Sequence, residues 1–328
     1  LKIFAPIRFM GARNPGCPKM KSNFILSLLL ALGLGGVLHS SAETFRVAAY
    51  NVENYIDAPT ESRPEAKSPA AKAKIRESIH ALRPDVLALE EMGSTNALLE
   101  LQQALKNEGL DFPYWEYVAG ADTNIHVAVL SRFPFAARRS HPDDSFLLSG
   151  RRFQVSRGIL EVDVQVNPQY RFTLFAAHLK SKRPVPEADE AEQRFEEARV
   201  LREKIDARFA ASPTASIVVL GDFNDTYNSK STREIVGRDK FKLIDTRPAE
   251  RNGDNQPNPH NPRYFPRNIT WTHYYGVEDT YSRIDYLLLS PGMAHEWVRT
   301  NTFIPTIPNW GLGSDHRPIV AEFSVTDR

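Results

Sequence analysis

In Ile217-Val218-Val219-Leu220-Gly221-Asp222-Phe223-Asn224-Asp225, four apolar, mostly β-branched residues predict a buried central strand. Gly221 breaks the run and leaves Asp222 and Asn224 at the strand's C-terminal end. Residues at i and i+2 share one side of an extended backbone, so a carboxylate and an amide face the same way. Such a pair suits holding a water or a phosphate oxygen beside a metal. An Asx-rich turn after a core strand accounts for the same residues.

The flanking segments repeat the pattern of a buried strand with a polar end. Thr44–Tyr50 runs into Asn51-Val52-Glu53-Asn54, Val86–Leu89 ends at Glu90-Glu91, and Phe172–Ala177 ends at His178. Arg283-Ile284-Asp285-Tyr286 opens a further strand, and Gly313-Ser314-Asp315-His316-Arg317-Pro318 precedes a closing one, Ile319–Val325. Val127–Leu130 is another apolar run, and Ile159–Val166 alternates as a half-exposed strand should. Helices are predicted from Ser68-Pro69 to Pro84, from about Asn96 to Asn107, and from about Glu187 to Phe209. Residues 247–269 hold five prolines and read as a long surface insertion. Singly, each polar end has an ordinary reading as a helix-leading acid, a core-edge histidine or a turn. Six together describe one rim of a sheet, where loops carry chemistry.

At 328 residues, with 41% hydrophobic and 25% charged, the chain can bury a large core. The formal charge of +1 conceals an asymmetry: Lys2, Arg8, Arg13, Lys19 and Lys21 are the only charged residues among the first 42. Removing them leaves 36 bases against 40 acids, a net charge of −4, with no global attraction for nucleic acid or anionic membrane. Met20-Lys21, the apolar run to Leu38 and Ser40-Ser41-Ala42 have the anatomy of a secretory signal cut near Ala42, with residues 1–19 an upstream extension. The protein is therefore expected outside the cytoplasm, secreted or periplasmic. Cys17 is the only cysteine, which excludes disulfides, thiolate zinc sites and cysteine nucleophiles downstream. Carboxylates and amides without thiols favour a hard cation, Mg²⁺ or Mn²⁺. Two histidines would contact phosphate oxygens or act as acid or base. Hydrolysis of a phosphate ester is the chemistry these residues fit.

Tyr50-Asn51-Val52-Glu53-Asn54, Leu89-Glu90-Glu91-Met92, Val129-Leu130-Ser131-Arg132, His178-Leu179-Lys180-Ser181, Gly221-Asp222-Phe223-Asn224-Asp225, Arg283-Ile284-Asp285-Tyr286 and Ser314-Asp315-His316-Arg317-Pro318 resemble the endonuclease/exonuclease/phosphatase superfamily, in that family's order over about residues 44–325. The resemblance implies a DNase I-like four-layer α/β sandwich over residues 43–328, with two mixed β-sheets face to face and helices outside. It implies Glu91 as main metal ligand, with Asn51, Glu53 and Asp315 in the same shell. Asp222 would orient or deprotonate the attacking water, and Asn224 would help to hold phosphate. His316, fixed by Asp285, would contact the scissile phosphate; His178 and Arg157 would be further phosphate contacts. Two positions depart from the family's DNA-repair members, where residue 53 is often Asp and residue 90 often Gln. Strand alternation points Glu90 away from Glu91. The Trp-Cys-Asp element of inositol-polyphosphate phosphatases is missing at Arg283-Ile284-Asp285.

The expected protein is a secreted Mg²⁺-dependent phosphodiesterase, foremost a nuclease, acting as a monomer without stable membrane association. A phosphomonoesterase or lipid phosphodiesterase of the same fold is the alternative, although the sequence shows no long aromatic or apolar hairpin for a membrane surface. Arg151-Arg152, Arg157, Lys180 and Lys182-Arg183 would form a basic rim for DNA or RNA, or simply a solvated face. A non-catalytic binding module should have lost one of Glu91, Asp222, Asn224, Asp285 or His316, and all five are present.

Overall fold

The structure, a computed structural model, describes residues 43–325 apart from 62, 253–255, 257–258, 262, 265 and 267. The signal-like segment lies outside the described residues. In chain order the first half comprises β1 (Glu43–Tyr55), α1 (Pro69–Leu82), β2 (Val86–Met92), α2 (Thr95–Asn107), β3 (Tyr114–Val118) and β4 (His126–Ser131). Next come β5 (Phe135–Arg138), β6 (Ser145–Leu148), β7 (Arg151–Gln154), β8 (Ile159–Gln165), β9 (Arg171–Ala177) and α3 (Glu190–Ala211). Then follow β10 (Ile217–Asp222), α4 (Lys230–Val236), β11 (Ile244–Asp245), β12 (His273–Tyr275), β13 (Thr280–Ser282) and β14 (Asp285–Leu289). The single turn α5 (Pro291–Ala294), β15 (Trp297–Phe303) and β16 (Ile319–Val325) complete it.

Two six-stranded mixed sheets form, in the orders β15-β16-β1-β2-β4-β3 and β11-β14-β10-β9-β8-β5. Three apolar layers separate the elements. Val47, Ala49, Val86 and Ala88 of the first sheet pack against Leu174, Ala176, Val218 and Leu220 of the second. Phe45 stacks on Phe172 and Phe323, with ring centroids 5.4 and 5.3 Å apart. Ile75, Ile79 and Leu82 of α1, with Leu98, Leu101 and Leu105 of α2, cover the first sheet's outer face. Ala198, Leu201, Ile205 and Phe209 of α3 cover the second. Each fully buried Ile or Leu contributes about 1.5–3 kcal/mol of transfer free energy, which fixes the helices outside. The expected four-layer sandwich is the observed fold.

Caps set the helix limits. Ser68 accepts from the Ala71 N–H and Pro69 occupies the first turn of α1. The α3 helix starts at Glu190, three residues later than predicted, because the Asp189 carboxylate takes the Ala191 and Glu192 N–H groups. The half-exposed reading of β8 is corrected: Glu161 is 1% exposed, beneath Arg139, Arg208 and His141.

Strand directions place the polar ends on one rim. β1 and β2 run parallel, as do β9 and β10, so Asn51, Glu91, His178 and Asp222 leave their strands at the same end. β14 runs antiparallel to β10 and brings Asp285 opposite Asp222. β16 runs antiparallel to β1, so His316, just ahead of it, joins the same rim.

Candidate active site

Gly221 makes the end of β10 possible. Its φ is +124°, and a Cβ there would lie 2.2 Å from the Ala177 carbonyl oxygen of β9. The close approach sets Asp222 and His178 side by side. Asn224 has φ +54°, which turns its backbone N–H onto Asp222 Oδ1 at 2.8 Å. Its Nδ2 donates to the Leu179 carbonyl at 3.0 Å, so the amide is held rather than free to swing.

Asp222 Oδ2 is the point of convergence. Asn51 Nδ2 lies 3.0 Å from it, Asn224 Nδ2 3.3 Å, His178 Nε2 3.5 Å and His316 Nε2 3.7 Å. Behind His316, Nδ1 faces Asp285 Oδ2 at 2.9 Å and Oδ1 at 3.1 Å. Ser314 ties this loop to β1: its hydroxyl donates to the Asn51 carbonyl at 2.7 Å and accepts from the His316 N–H.

The electrostatics divide the histidines. Burial opposes charge on His316, but the Asp285 and Asp222 carboxylates outweigh it and hold its pKa well above the ordinary value. Burial and the Arg157 guanidinium push His178 well below, so it is neutral. Burial raises Asp222, His316 offsets part of that, and Asp285 adds to it, leaving a pKa of about 7. A buried carboxylate beside an imidazolium, with a pKa near neutrality, can take a proton from a bound water. Arg157 is itself buried; it donates to the Leu179 carbonyl at 3.2 Å and keeps its Nε 3.5 Å from Asp122.

On the first-sheet side, positive φ at Glu53, Asn54 and Glu91 marks the bulges that interrupt the β1–β2 ladder after Asn51. Glu91 Oε2 accepts from the Asn54 N–H at 2.9 Å, and its Oε1 lies 3.4 Å from Asn51 Nδ2. Asn51 turns its other amide atom, Oδ1, to the Glu53 N–H at 3.0 Å. Its Nδ2 therefore links the Glu91 and Asp222 carboxylates, while Oδ1, with two lone pairs, accepts from the Glu53 N–H and keeps one for a cation. Lys67, which nothing in the sequence singled out, places Nζ 3.5 Å from Glu53 Oε2. Burial lowers its pKa, against the attraction of Glu53, Glu91 and Asp315. Burial and the Asp315 charge raise Glu53. Lys67 feels the charge of all three carboxylates, with Glu53 Oε2 the one within ion-pair distance, and acidic oxygens without thiols are the donor type a hard divalent cation takes. Among the described residues, the groups with ligating atoms within 4.8 Å of one another are different: His273, Asp315 and His316, and Asp222, Asp285 and His316. Neither contains Glu53 or Glu91.

A family model described as the Endonuclease/Exonuclease/phosphatase family matches residues 48–316. The chain belongs to that family. Its members are phosphoester hydrolases, and they are typically metal-dependent. Solved structures share the fold at low identity. An endonuclease/exonuclease/phosphatase family protein from Bacteroides thetaiotaomicron is 17% identical, with TM-score 0.53, over 88% of this chain and 100% of that one. Truncated TDP2 from Caenorhabditis elegans is 17% identical, with TM-score 0.55, over 86% and 98%. Sphingomyelinase C from Streptomyces griseocarneus is 18% identical, with TM-score 0.56, over 86% and 99%. No curated protein matches the sequence.

Of the family residues expected here, Asn51, Asn224, His178, Asp222, Asp285 and His316 meet directly, and Arg157 stands behind His178. Three were missed. Lys67 enters from the loop before α1. His273, on β12, lies 3.6 Å from Asp315 Oδ2 and bridges to His316. Glu90 is fully buried, with neither carboxylate oxygen hydrogen-bonded among the described residues. A Cβ on Gly221 would lie 3.0 Å from Glu90 Oε1, so Glu90 spans the gap between the sheets beneath Asp222. Alternation does turn it from Glu91, but toward the site and not to a bystander's place. Burial and the Asp285 and Asp222 charges raise its pKa well above the ordinary range. Its sequence signals were the Glu90-Glu91 doublet and a position where the family's DNA-repair members often carry Gln.

Of the basic rim, Lys180 is buried and donates to the Ser181 and Arg183 carbonyls, while Arg151, Arg152, Lys182 and Arg183 are exposed. A short β12–β13 hairpin of three-residue strands exposes Tyr275, Val277 and Tyr281.

Proposed function

We propose that this protein is an exported, Mg²⁺-dependent phosphodiesterase acting as a nuclease, monomeric and composed of one catalytic domain over residues 43–328. The convergence of Asn51, His178, Asn224 and His316 on Asp222 Oδ2 carries this reading. Asp222 orients a water and accepts its proton as the water oxygen bonds to phosphorus. The bond from phosphorus to the ester oxygen breaks, and the leaving alkoxide takes a proton from solvent. His316, kept cationic by Asp285, neutralises charge growing on the phosphoryl oxygens. Asn224, neutral His178 and Arg157 hold the phosphate. A Mg²⁺ ion, or Mn²⁺ in its place, held by Glu91, Asn51 and Asp315 with Glu53 beside them, would supply polarisation of a phosphoryl oxygen. Exposed Arg151, Arg152, Lys182 and Arg183 support a polyanionic substrate on an otherwise acidic body.

The test is a panel of plasmid, single-stranded DNA, RNA, sugar phosphates and phospholipid vesicles, with Mg²⁺ and with a chelator. Cleavage of DNA or RNA that stops on chelation and returns with Mg²⁺ is expected; full activity after exhaustive chelation would remove the metal from the reading. The exposed Tyr275, Val277 and Tyr281 favour one alternative, a lipid phosphodiesterase, for which vesicles would be the only substrate hydrolysed. Export is tested by N-terminal sequencing of the isolated protein, which should begin near Glu43.

A further inference from the structure

Two cavities on the α4 side of the second sheet, of about 730 and 720 Å³, meet at Tyr227 and Lys242. Together they form a groove lined by six cations, Lys230, Arg233, Arg238, Lys242, Arg247 and Arg283, against two carboxylates, Glu234 and Asp245. The lining therefore carries a net charge of +4, on a body whose residues beyond Ala42 sum to −4. Asp245 holds Arg283 at 2.7 Å, and Asn268 holds Arg247 at 3.0 Å. Arg233, Arg238 and Lys242 are exposed and have no carboxylate partner among the described residues. Like charges gathered on one wall repel one another, and a polyanion in the groove removes that cost.

The groove begins beside the reacting centre. Tyr227 follows Asn224 by three residues, and Arg283 precedes Asp285 by two. At about 3.6 Å per residue or less, the Tyr227 backbone lies within about 11 Å of Asn224. The Tyr286 hydroxyl, 3.0 Å from both the Asp225 and Arg283 carbonyls, ties the two loops together. The Arg283 guanidinium stands 5.7 Å from the centre of the Tyr227 ring. From there the cations continue along α4 to Arg238, just beyond its end. A small phosphate monoester would fill one cavity and leave the cations of the other unneutralised. A membrane would meet a concave wall on which Tyr227 is the one exposed large apolar side chain among the described residues. A chain of phosphates that continues past the scissile one matches both the length of the groove and its sign.

We propose that this groove is the track for the nucleic-acid backbone beyond the active site, with Arg233, Arg238 and Lys242 pairing with phosphates of the flanking strand. The assignment rests on the phosphodiesterase reading for its place in catalysis, but not for strand binding itself. Binding is read from the fluorescence anisotropy of a fluorescein-labelled single-stranded oligodeoxynucleotide, with chelator present to prevent cleavage. Changing Arg233, Arg238 and Lys242 together to Gln should raise Kd about tenfold or more. The slope of log affinity against log salt should fall by about two, as the loss of three single-strand phosphate contacts requires. A charge-matched control changes Arg83, Arg171 and Arg299 to Gln; all three are exposed, two before the opposite strand ends and one on the first sheet's edge strand. It should leave Kd within about threefold of wild type. Turnover of bis(p-nitrophenyl) phosphate, which extends no strand into the groove, should stay within about twofold for both variants. Equal weakening by the two triple changes would overturn the track, as would phosphatidylserine vesicles being the probe whose binding depends on these cations. Should wild type cleave bis(p-nitrophenyl) phosphate without binding the oligonucleotide, the track falls and the phosphodiesterase reading stands. Should it bind the oligonucleotide through these cations yet hydrolyse neither substrate when Mg²⁺ is supplied, the track stands and the reading falls.

Discussion

Glu161 and Asp222 are equally buried, at 1% exposure each, yet their surroundings treat charge in opposite ways. Glu161 Oε1 pairs with the Nε atoms of Arg139 and Arg208, both at 2.6 Å, and Oε2 faces His141 Nε2 at 2.8 Å. Burial would raise its pKa, but hydrogen bonds from His141 and Arg139 and the arginine charges bring it below the ordinary value. Around Asp222 the carboxylates of Glu90, Asp285 and Glu91 crowd in, and the imidazolium of His316 is the close positive partner. Glu161 is a completed ion cluster that fastens β8 to α3. Asp222 accepts from Asn51 and Asn224, but its cluster holds more carboxylates than cations. The Glu90 oxygens beneath it have no hydrogen-bond partner among the described residues, a shortage a substrate or cation can fill.

The comparison breaks most readily at His316. His316→Ala should lower turnover by about two to four orders of magnitude while the melting temperature stays within a few degrees. Asp285→Asn should cost less, because the imidazole keeps a partner but loses the carboxylate that favours its cation. The double change should be far from additive, since both residues serve one function. Single-turnover assays beside thermal melts would show it, and near-normal rates for His316→Ala would dissolve the distinction between the clusters.

One isosteric change should act oppositely in the two places. Glu161→Gln removes the shared anion from two arginines and should cost about 2 kcal/mol, below the roughly 3–5 for fully buried pairs because both arginines are partly exposed. Glu90→Gln at pH 8, with chelator present, should leave the melting temperature unchanged or higher, because no partner is lost. Equal destabilisation by both would show that Glu90 is as well satisfied as Glu161.

Acid titration separates the clusters more finely. The folded-state pKa of Glu161 lies below its unfolded value near 4.5, so its contribution is present above that value and is lost as pH falls through the folded pKa. Glu90 has the reverse sign: its folded pKa is raised, so stability falls as pH rises above about 4.5. Denaturant melts across pH should show Glu161→Gln flattening the acid limb, and an unchanged limb would remove Glu161 from it.

The smallest effect concerns the rim. Changing Arg151 and Arg152 to Glu should lower kcat/KM on DNA by only a few-fold and make its salt dependence shallower, leaving bis(p-nitrophenyl) phosphate untouched. A comparable loss on the small diester would place these arginines nearer the reaction than their exposure allows.

The residues that meet at Asp222 were legible because each sits at the end of an apolar run, and a run plus a polar terminus is local information. Ser68-Pro69 announced the start of α1 for the same reason: a cap acts within one turn. Glu161 was misread because alternation tells which residues share a face but not what covers that face. Arg139 and Arg208 reach it from 22 and 47 residues away. Lys67 and His273 gave no signal, since each matters only through neighbours brought by other strands and loops.

By itself the sequence determined the strand ends, the Ser68-Pro69 cap, the absence of thiols beyond Cys17 and the family. The tertiary structure alone decided which carboxylates are satisfied and which are left in want of a partner. Glu90, beside Glu91 in the chain, lies against Gly221 of the opposite sheet, 131 positions away. Charge balance in a buried site depends on distances across that gap, and Coulomb energies at short range in a low-dielectric interior are set by the packing of the two sheets.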